Sequence, residues 1–311
     1  MALGVDGVRV GCWTHPERHT GTTVVLSPVG TLGALAVRGG APGTREAAAL
    51  GPTGSVQECH AVALSGGSAF GLATADGVMS WCEEQGIGYD RHVARIPIVG
   101  AAIVFDLRAP GLDRPGAEAG RAACEAATDS APPHGSVGVG AGCTVGKTAG
   151  LEWGSKSGQG WAVERAGGVT VGALLAVNPL GDVLDERGEV LSGSRAPADT
   201  PRYPEVAFRQ PEPLEHTVIG CLVTDARLDK PSAWRAADLA HSGIARAVSP
   251  AHTTMDGDAL FLLCTQRVEA SIDLVADLGA RAVSAAIRTA VRHAEKVTDL
   301  PGFPADPRAS R

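Results

Sequence analysis

The first residues able to do chemistry lie in a glycine-rich stretch, Ala141–Thr148, which fits a loose phosphate-binding loop pattern. In such a loop the backbone N–H groups cradle phosphates, the lysine reaches the outer phosphates and the threonine binds magnesium. The pattern needs a helix directly after it. Here Ala149, Gly150 and Gly154 follow, and glycine is a poor helix former. The sequence therefore favours an accidental match over a nucleotide site.

A serine and a pair of aspartates offer other chemistry. Ser68 nearly satisfies the G-x-S-x-G pattern of a nucleophile elbow, but Phe70 stands where that sharp turn needs glycine. A packed helix start is the favoured interpretation of this segment. Asp256 and Asp258 flank Gly257 just before a predicted strand. By themselves they indicate a turn, and the functional alternative is two carboxylates directed at one site.

Four further polar residues complete the set of candidates. Lys147 is one of only four lysines, against 23 arginines, and it ends a glycine-rich region; a surface lysine is the default interpretation. Asn178 ends a predicted buried strand, where a carboxamide can donate to an oxyanion, although a turn with Pro179 explains it equally well. His241 and His252 are interpreted as a helix-surface histidine and a loop histidine.

The elements that position these residues are short strands and a few long helices, a mixture that predicts a layered α/β sandwich. The Pro-rich stretch 183–215 predicts an exposed loop or linker. Apolar runs predict strands at Val8–Cys12, Thr22–Leu26, Leu35–Arg38, His60–Leu64, Val169–Val177, Thr217–Thr224 and Ala259–Thr265. Helical spacing predicts helices from about Ser68 to Gln85, from a Ser232 cap to about Val248, and from Ile272 to about Val297.

Composition excludes several classes of protein. The chain has 311 residues and a net charge of −7, whereas nucleic-acid binding needs a basic footprint. The longest apolar stretch, about Ile96–Phe105, is far shorter than the ~20 residues of a membrane-spanning helix, and Met1–Cys12 has no secretory pattern. Seven cysteines without a C-x-x-C pair indicate reduced thiols in a cytoplasmic protein. No metal is expected, because the histidines do not lie at ligand spacing from the cysteines.

Six ordered motifs together resemble the L-aminopeptidase/D-esterase family, which includes β-peptidyl aminopeptidases and nylon-oligomer hydrolases. The resemblance runs from about residue 7 to the end of the last predicted helix, and the combination is far more specific than any one motif. The six motifs are Val37–Glu46, Leu64–Gly71, Gly135–Lys147, Gly172–Asn178, His216–Gly220 and Met255–Asp258.

The resemblance implies a four-layer α/β/β/α sandwich, made as a precursor that cuts itself into fragments 1–216 and 217–311 of a single hydrolase domain. Thr217 is then the nucleophile, Lys147 the assisting lysine, and Asn178 the oxyanion residue. Asp256 and Asp258 form the acidic pair. The expected activity is hydrolysis of short peptides, small amides or oligoamides without a cofactor. The expected assembly is a tetramer of processed heterodimers, with no nucleic-acid or membrane partner.

The chemistry of these residue types agrees with that expectation. A threonine hydroxyl is a poor nucleophile until a base takes its proton. In the precursor Thr217 attacks the carbonyl of His216, and the resulting ester is opened by water. The freed α-amine, with a reference pKa of about 7.7–8.0, then serves as the base in later turnovers. The linker 183–215 supplies slack, so that the new end can leave the site.

Two departures from the family pattern keep alternatives open. His216 stands where the family has asparagine before the nucleophile, and Phe105 stands where some members have a pocket tyrosine. An unprocessed, inactive homologue that binds small acylated ligands is one alternative. Acyl transfer of the ornithine acetyltransferase type is another, although that family's own cleavage motif is not visible in this sequence.

Overall fold

The computed structural model describes residues 1–17, 19–107, 113–205 and 216–295. The first strands are β1 Arg9–Thr14, β2 Gly21–Leu26, β3 Leu32–Val37, β4 Thr44–Arg45, β5 Ala61–Ser65, β6 Tyr89–Asp90, β7 Arg95–Ile96 and β8 Val99–Ile103. The later strands are β9 Thr144–Val145, β10 Ser155–Lys156, β11 Gln159–Ala166, β12 Val169–Asn178, β13 Asp182–Leu184, β14 Val190–Ser192, β15 Thr217–Arg227, β16 Val248–Ser249 and β17 Ala259–Glu269. The helices are α1 Thr74–Glu84, α2 Ala117–Glu125, α3 Lys230–Ala240, α4 Ser242–Ala245 and α5 Ile272–Arg292.

Two five-stranded sheets form the centre of the molecule. The first has the strand order β1-β2-β5-β8-β4, and the second has the order β11-β12-β15-β17-β3. Neighbouring strands are antiparallel except for the parallel pairs β5–β8 and β15–β17. The second sheet thus places two strands that follow residue 216, β15 and β17, between strands that precede it.

Three apolar clusters separate four layers. Helices α1 and α2 pack against the outer face of the first sheet, and α3 and α5 pack against the outer face of the second. The third cluster lies between the two sheets. The order of layers is therefore α/β/β/α, and the four-layer sandwich expected from the resemblance is confirmed.

Along β15, successive side chains alternate between the two faces of the second sheet. In β15, Ile219 and Cys221 face the other sheet, while Val218 and Leu222 face the helices. Small residues replace rings through most of this core, as the low aromatic content predicts. Phe261 is a fully buried ring between the two sheets. It fits because Gly100 on the facing sheet has no side chain, and a Cβ there would come within 2.5 Å of the Phe261 ring.

Several sequence expectations need correction in detail. The third helix begins at Lys230 and is capped by Asp229, whose side chain accepts from the Ser232 N–H, so Ser232 is not the cap. The predicted linker 183–215 is wrong for its first part, because β13 and β14 pair with each other in a small sheet. Residues 206–215 of that linker lie outside the described residues. Across the described ranges, no helix has the length and apolar character needed to cross a membrane.

Candidate active site

Thr217 is the first residue of β15, at the middle of the second sheet, and it is only 5% exposed. Its position in the alternation puts its side chain on the face directed at the other sheet. Asn178, the last residue of β12, is its register partner. Because cross-strand partners have Cβ atoms about 4.5–5.5 Å apart, the hydroxyl and the carboxamide lie side by side at this end of the sheet.

The Thr217 hydroxyl lies against the carbonyl of the preceding residue. Thr217 Oγ1 donates a hydrogen bond to the oxygen of His216, and the backbone N–H of Gly257 donates to the same oxygen at 2.8 Å. Gly257 has no room for a side chain, since a Cβ there would be 3.0 Å from Thr217 Oγ1 and 2.7 Å from the oxygen of Ala41. The His216 carbonyl is therefore held between a hydroxyl and a backbone donor.

Lys147 reaches this site from the glycine-rich segment. Its ammonium group donates to the backbone oxygen of Asn178 at 3.0 Å and to the side-chain Oδ1 at 3.1 Å. The N–H of Thr144 donates to the same Oδ1 at 3.0 Å. These donors fix the orientation of the carboxamide, so that its Nδ2 donates to the oxygen of Phe105 at 3.1 Å. Phe105, the proposed replacement of a pocket tyrosine, thus does lie beside Asn178.

Asp258 holds the start of β15 in place. One carboxylate oxygen accepts from the N–H of Val218 at 2.6 Å, the residue directly after Thr217. The other accepts from His252 Nδ1 at 2.7 Å and from the His252 N–H at 3.2 Å. The side chain is 1% exposed. Asp258 therefore has a clear positioning role, which the interpretation of this segment as a simple turn does not include.

Asp256 lies beside His216, the residue before Thr217. It forms a parallel bridge with His216, and its carboxylate accepts from the N–H and Oγ1 of Thr253 at 2.9 and 2.5 Å, and from the Leu180 N–H at 3.4 Å. Burial, and secondarily the charge of Asp258, raise the pKa of Asp256 to about 6. A carboxyl with this pKa exchanges protons close to neutral pH, as a catalytic acid or base must.

The interpretation of His241 as a helix-surface histidine is wrong, whereas His252 does lie in a loop, as the sequence predicts. His241 is fully buried and its Nε2 lies 3.1 Å from the oxygen of Ala36; burial lowers its pKa to about 4, so the ring is neutral. Burial also lowers the pKa of His252, but the hydrogen bond and charge of Asp258 outweigh that effect, so the net shift is upward. The signal in the sequence for this contact was that His252 lies only six residues before Asp258.

The other sequence candidates do not join this site. Ser68 begins a 3-10 helix after β5, in the first sheet, with its N–H donating to the oxygen of Val104. The phosphate-loop alternative is wrong, because the segment after Thr148 continues into a 3-10 turn at Leu151–Trp153 and then β10. The structure brings together the remaining set: Lys147, Asn178, His216, Thr217, Asp256 and Asp258.

Comparison with known proteins identifies a family and several similar sequences. The family profile described as peptidase family S58 matches residues 3–303. An uncharacterized aminopeptidase of Mycobacterium leprae is 40% identical, over 96% of this chain and 92% of its own length. A 6-aminohexanoate-oligomer endohydrolase of Agromyces is 31% identical, over 86% of this chain and 76% of its own length.

Two solved structures share the fold. The L-aminopeptidase D-Ala-esterase/amidase of Ochrobactrum anthropi, described as a variant of the Ntn-hydrolase fold, superposes with a TM-score of 0.73 at 20% identity. The superposition covers 97% of this chain and 88% of that one. A β-aminopeptidase of Burkholderia gives a TM-score of 0.72 at 20% identity, over 99% and 90% of the two chains.

Proposed function

Because the chain belongs to peptidase family S58, we propose that it cuts itself before Thr217 and then uses Thr217 as an N-terminal nucleophile. The protein is an amide hydrolase. The observation that carries the proposal is the contact between the Thr217 hydroxyl and the His216 carbonyl inside a buried site. A hydroxyl in this place lies next to the one peptide bond whose cleavage would free its own amine.

Self-cleavage starts with attack of Thr217 Oγ1 on the carbonyl carbon of His216. The C–N bond breaks, the hydroxyl proton passes to the leaving amine, and an ester joins the two residues until water hydrolyses it. Negative charge develops on the His216 oxygen during the attack. The Gly257 N–H, 2.8 Å from that oxygen, would stabilise the charge as a backbone oxyanion donor. The side chain of His216 takes no part in these bonds, so its replacement of asparagine leaves the reaction available.

After cleavage the α-amine of Thr217 becomes the general base for its own hydroxyl. The positive charge of Lys147, at the end of β12 beside Thr217, favours the alkoxide form of that hydroxyl. The carboxamide of Asn178 lies next to the nucleophile and would donate to the oxyanion of a bound substrate. An amide substrate would thus be attacked, and the acyl-enzyme then hydrolysed, at one set of residues.

The two carboxylates have separate roles in this proposal. Asp258 positions the nucleophile by holding the Val218 N–H. Asp256, with a pKa of about 6, is ionised at neutral pH and would hold the new ammonium group or the hydroxyl in place.

Short peptides, small amides and oligoamides are the proposed substrates. The support comes from relatives whose names describe an aminopeptidase and a 6-aminohexanoate-oligomer endohydrolase. A cytoplasmic location is part of the proposal, supported by the seven scattered cysteines, which form no C-x-x-C pair. Assembly into a homo-oligomer of processed heterodimers is also proposed, and light scattering on the purified protein tests it directly.

Intact mass spectrometry tests the function. The purified protein should give fragments of 216 and 95 residues, the second being 311 − 216, which co-elute in gel filtration. Thr217→Ala should stay whole and inactive on an amino-acid anilide, while Thr217→Ser should retain both activities in part. A wild-type chain that stays whole and binds acylated ligands without turnover would support the inactive homologue. An active Thr217→Ala protein would remove Thr217 from the mechanism.

A further inference from the structure

The turn between β1 and β2 carries a His-x-Glu-x-His cluster that the amide chemistry does not use. The side chains of His15, Glu17 and His19 bring potential ligand atoms within 4.8 Å of one another, and the two rings are 4.2 Å apart between centroids. We propose that this turn binds one divalent transition-metal ion of the zinc class, through Nδ1 of His15, Nδ1 of His19 and the carboxylate of Glu17.

The hydrogen bonds of His19 leave a lone pair directed into the cluster. Its Nε2 lies 3.2 Å from the backbone oxygen of Asp113, and a carbonyl oxygen can only accept, so Nε2 carries the hydrogen. In the neutral ring, Nδ1 then carries the lone pair. It is buried in a side chain that is 4% exposed, with no hydrogen-bond partner among the described residues. A Glu17 carboxylate oxygen lies 3.9 Å from it. A buried acceptor without a donor is unfavourable, and a cation between these two groups satisfies both.

His15 has the same arrangement. Its Nε2 lies 3.4 Å from Asp113 Oδ2, so the carboxylate holds the Nε2 hydrogen and the lone pair is again on Nδ1. That lone pair accepts a long bond of 3.2 Å from the Glu17 N–H, which a metal ion would replace. Asp113 therefore contacts Nε2 of both rings, His15 through its carboxylate and His19 through its backbone carbonyl. This is the outer-sphere pattern that orients histidine ligands in metal sites.

The donor set selects the class of ion. Two imidazoles and one carboxylate suit zinc, cobalt, nickel or copper, whereas magnesium and calcium prefer oxygen ligands. Ligands about 2.1 Å from a tetrahedral metal lie about 3.4 Å from one another, so the cluster must contract. Glu17 can move toward the histidines, because its side chain is 76% exposed. A water would be the fourth ligand of the ion. The sequence expectation of no metal rested on spacing from the cysteines, which this turn does not involve.

The turn packs against the segment that carries Lys147. The His19 oxygen lies so close to Gly142 that a Cβ there would come within 2.4 Å of it, and the same Cβ would come within 2.4 Å of Asp106 Cβ. A bound ion would therefore join the β1–β2 turn to Asp113, beside the glycine-rich wall of the proposed active site. Its role is structural, since no ligand belongs to the Thr217 cluster.

The test is titration of the full-length, tag-free and metal-stripped protein with zinc alone by calorimetry, and with cobalt alone by visible absorption. One ion per chain and the d–d bands of tetrahedral cobalt are expected. His15→Gln and Glu17→Gln should each weaken binding by about 100-fold or more, and Asp113→Asn by about 10–100-fold. Glu17 and Asp113 are 76% and 83% exposed, and His15, at 13%, lies in the same surface turn, so the variants should fold.

His92→Gln, at an exposed position of the β6–β7 turn, is the matched control and should bind like the wild type. Binding that survives in both His15→Gln and Glu17→Gln would assign the metal to the cysteines or elsewhere and overturn the site. Absence of saturable binding to the wild type would overturn it as well. Neither readout depends on amide hydrolysis, so the metal site and the proposed function fail independently.

Discussion

Gly257→Ala is the sharpest test of the proposed self-cleavage. The new Cβ would be 2.7 Å from the Ala41 oxygen and 3.0 Å from Thr217 Oγ1, compared with an ordinary contact of at least 3.4 Å. The backbone must therefore move by roughly 0.5 Å or more, which shifts the N–H that binds the His216 oxygen. A misplaced reacting group or oxyanion donor costs about 10²-fold in rate, or about 2.7 kcal/mol in the barrier.

The assay is a time course of precursor disappearance by denaturing electrophoresis and intact mass. Gly116→Ala is the matched control, because Gly116 has ordinary extended backbone dihedrals and a Cβ there meets nothing within 4 Å. The control should be processed like the wild type. Processing of Gly257→Ala at the wild-type rate, in a protein that melts normally, would refute the role of this backbone donor.

Three further predictions concern the charged groups. The rate of anilide hydrolysis should fall as pH drops through about 6, where Asp256 takes up a proton, and Asp256→Asn should lose that limb of the pH–rate profile. Because folding raises the pKa of Asp256, this group favours the folded state most below pH about 4. That contribution to stability is lost as pH rises through about 6. His252→Gln should destabilise the fold most below pH about 6.5 and progressively less as pH rises through the raised pKa of His252. Thermal melts of variant and wild type in a pH series measure this, and a difference in melting temperature that stays constant with pH would contradict the ion pair with Asp258. Lys230→Ala should lower the free energy of unfolding by about 2–4 kcal/mol in urea, because its buried ammonium donates to two backbone carbonyls, while the exposed Arg235→Ala should change little.

Much of the site was predictable because its residues sit at the ends of strongly apolar strands. The runs ending at Asn178 and starting at Thr217 are buried on both faces, so their strand character and limits follow from the sequence. Their side-by-side register does not, since it depends on which strands pair. The resemblance of the motifs to a known family predicted that these strand ends belong to one site. The structure places Lys147 and both aspartates around Asn178 and Thr217.

What sequence reasoning missed depends on partners far away in the chain. His241 is buried because its ring meets the oxygen of Ala36, 205 residues earlier, and nothing near His241 indicates this. Helix α2 is short and holds four alanines and one glycine among its nine residues. It packs closely on α1, since a Cβ on Gly120 would come within 2.0 Å of the Thr74 oxygen. Its buried residues do recur at helical spacing, but side chains this small give only a weak apolar signal in the sequence.

The interleaved order of the second sheet has a consequence for the mature protein. Strands β15 and β17 lie between β12 and β3, so a cut before Thr217 leaves each fragment completing the other's sheet. Folding of the uncut chain is a unimolecular event, whereas reassembly of two separated fragments is a second-order one. After the cut, the thermal midpoint should depend on protein concentration, and refolding from denaturant should fail at dilutions where the uncut Thr217→Ala chain still succeeds. Under the proposed self-cleavage, the peptide bond before Thr217 is needed once, to build the sheet, and the cut protein then keeps a fold that it can no longer easily regain.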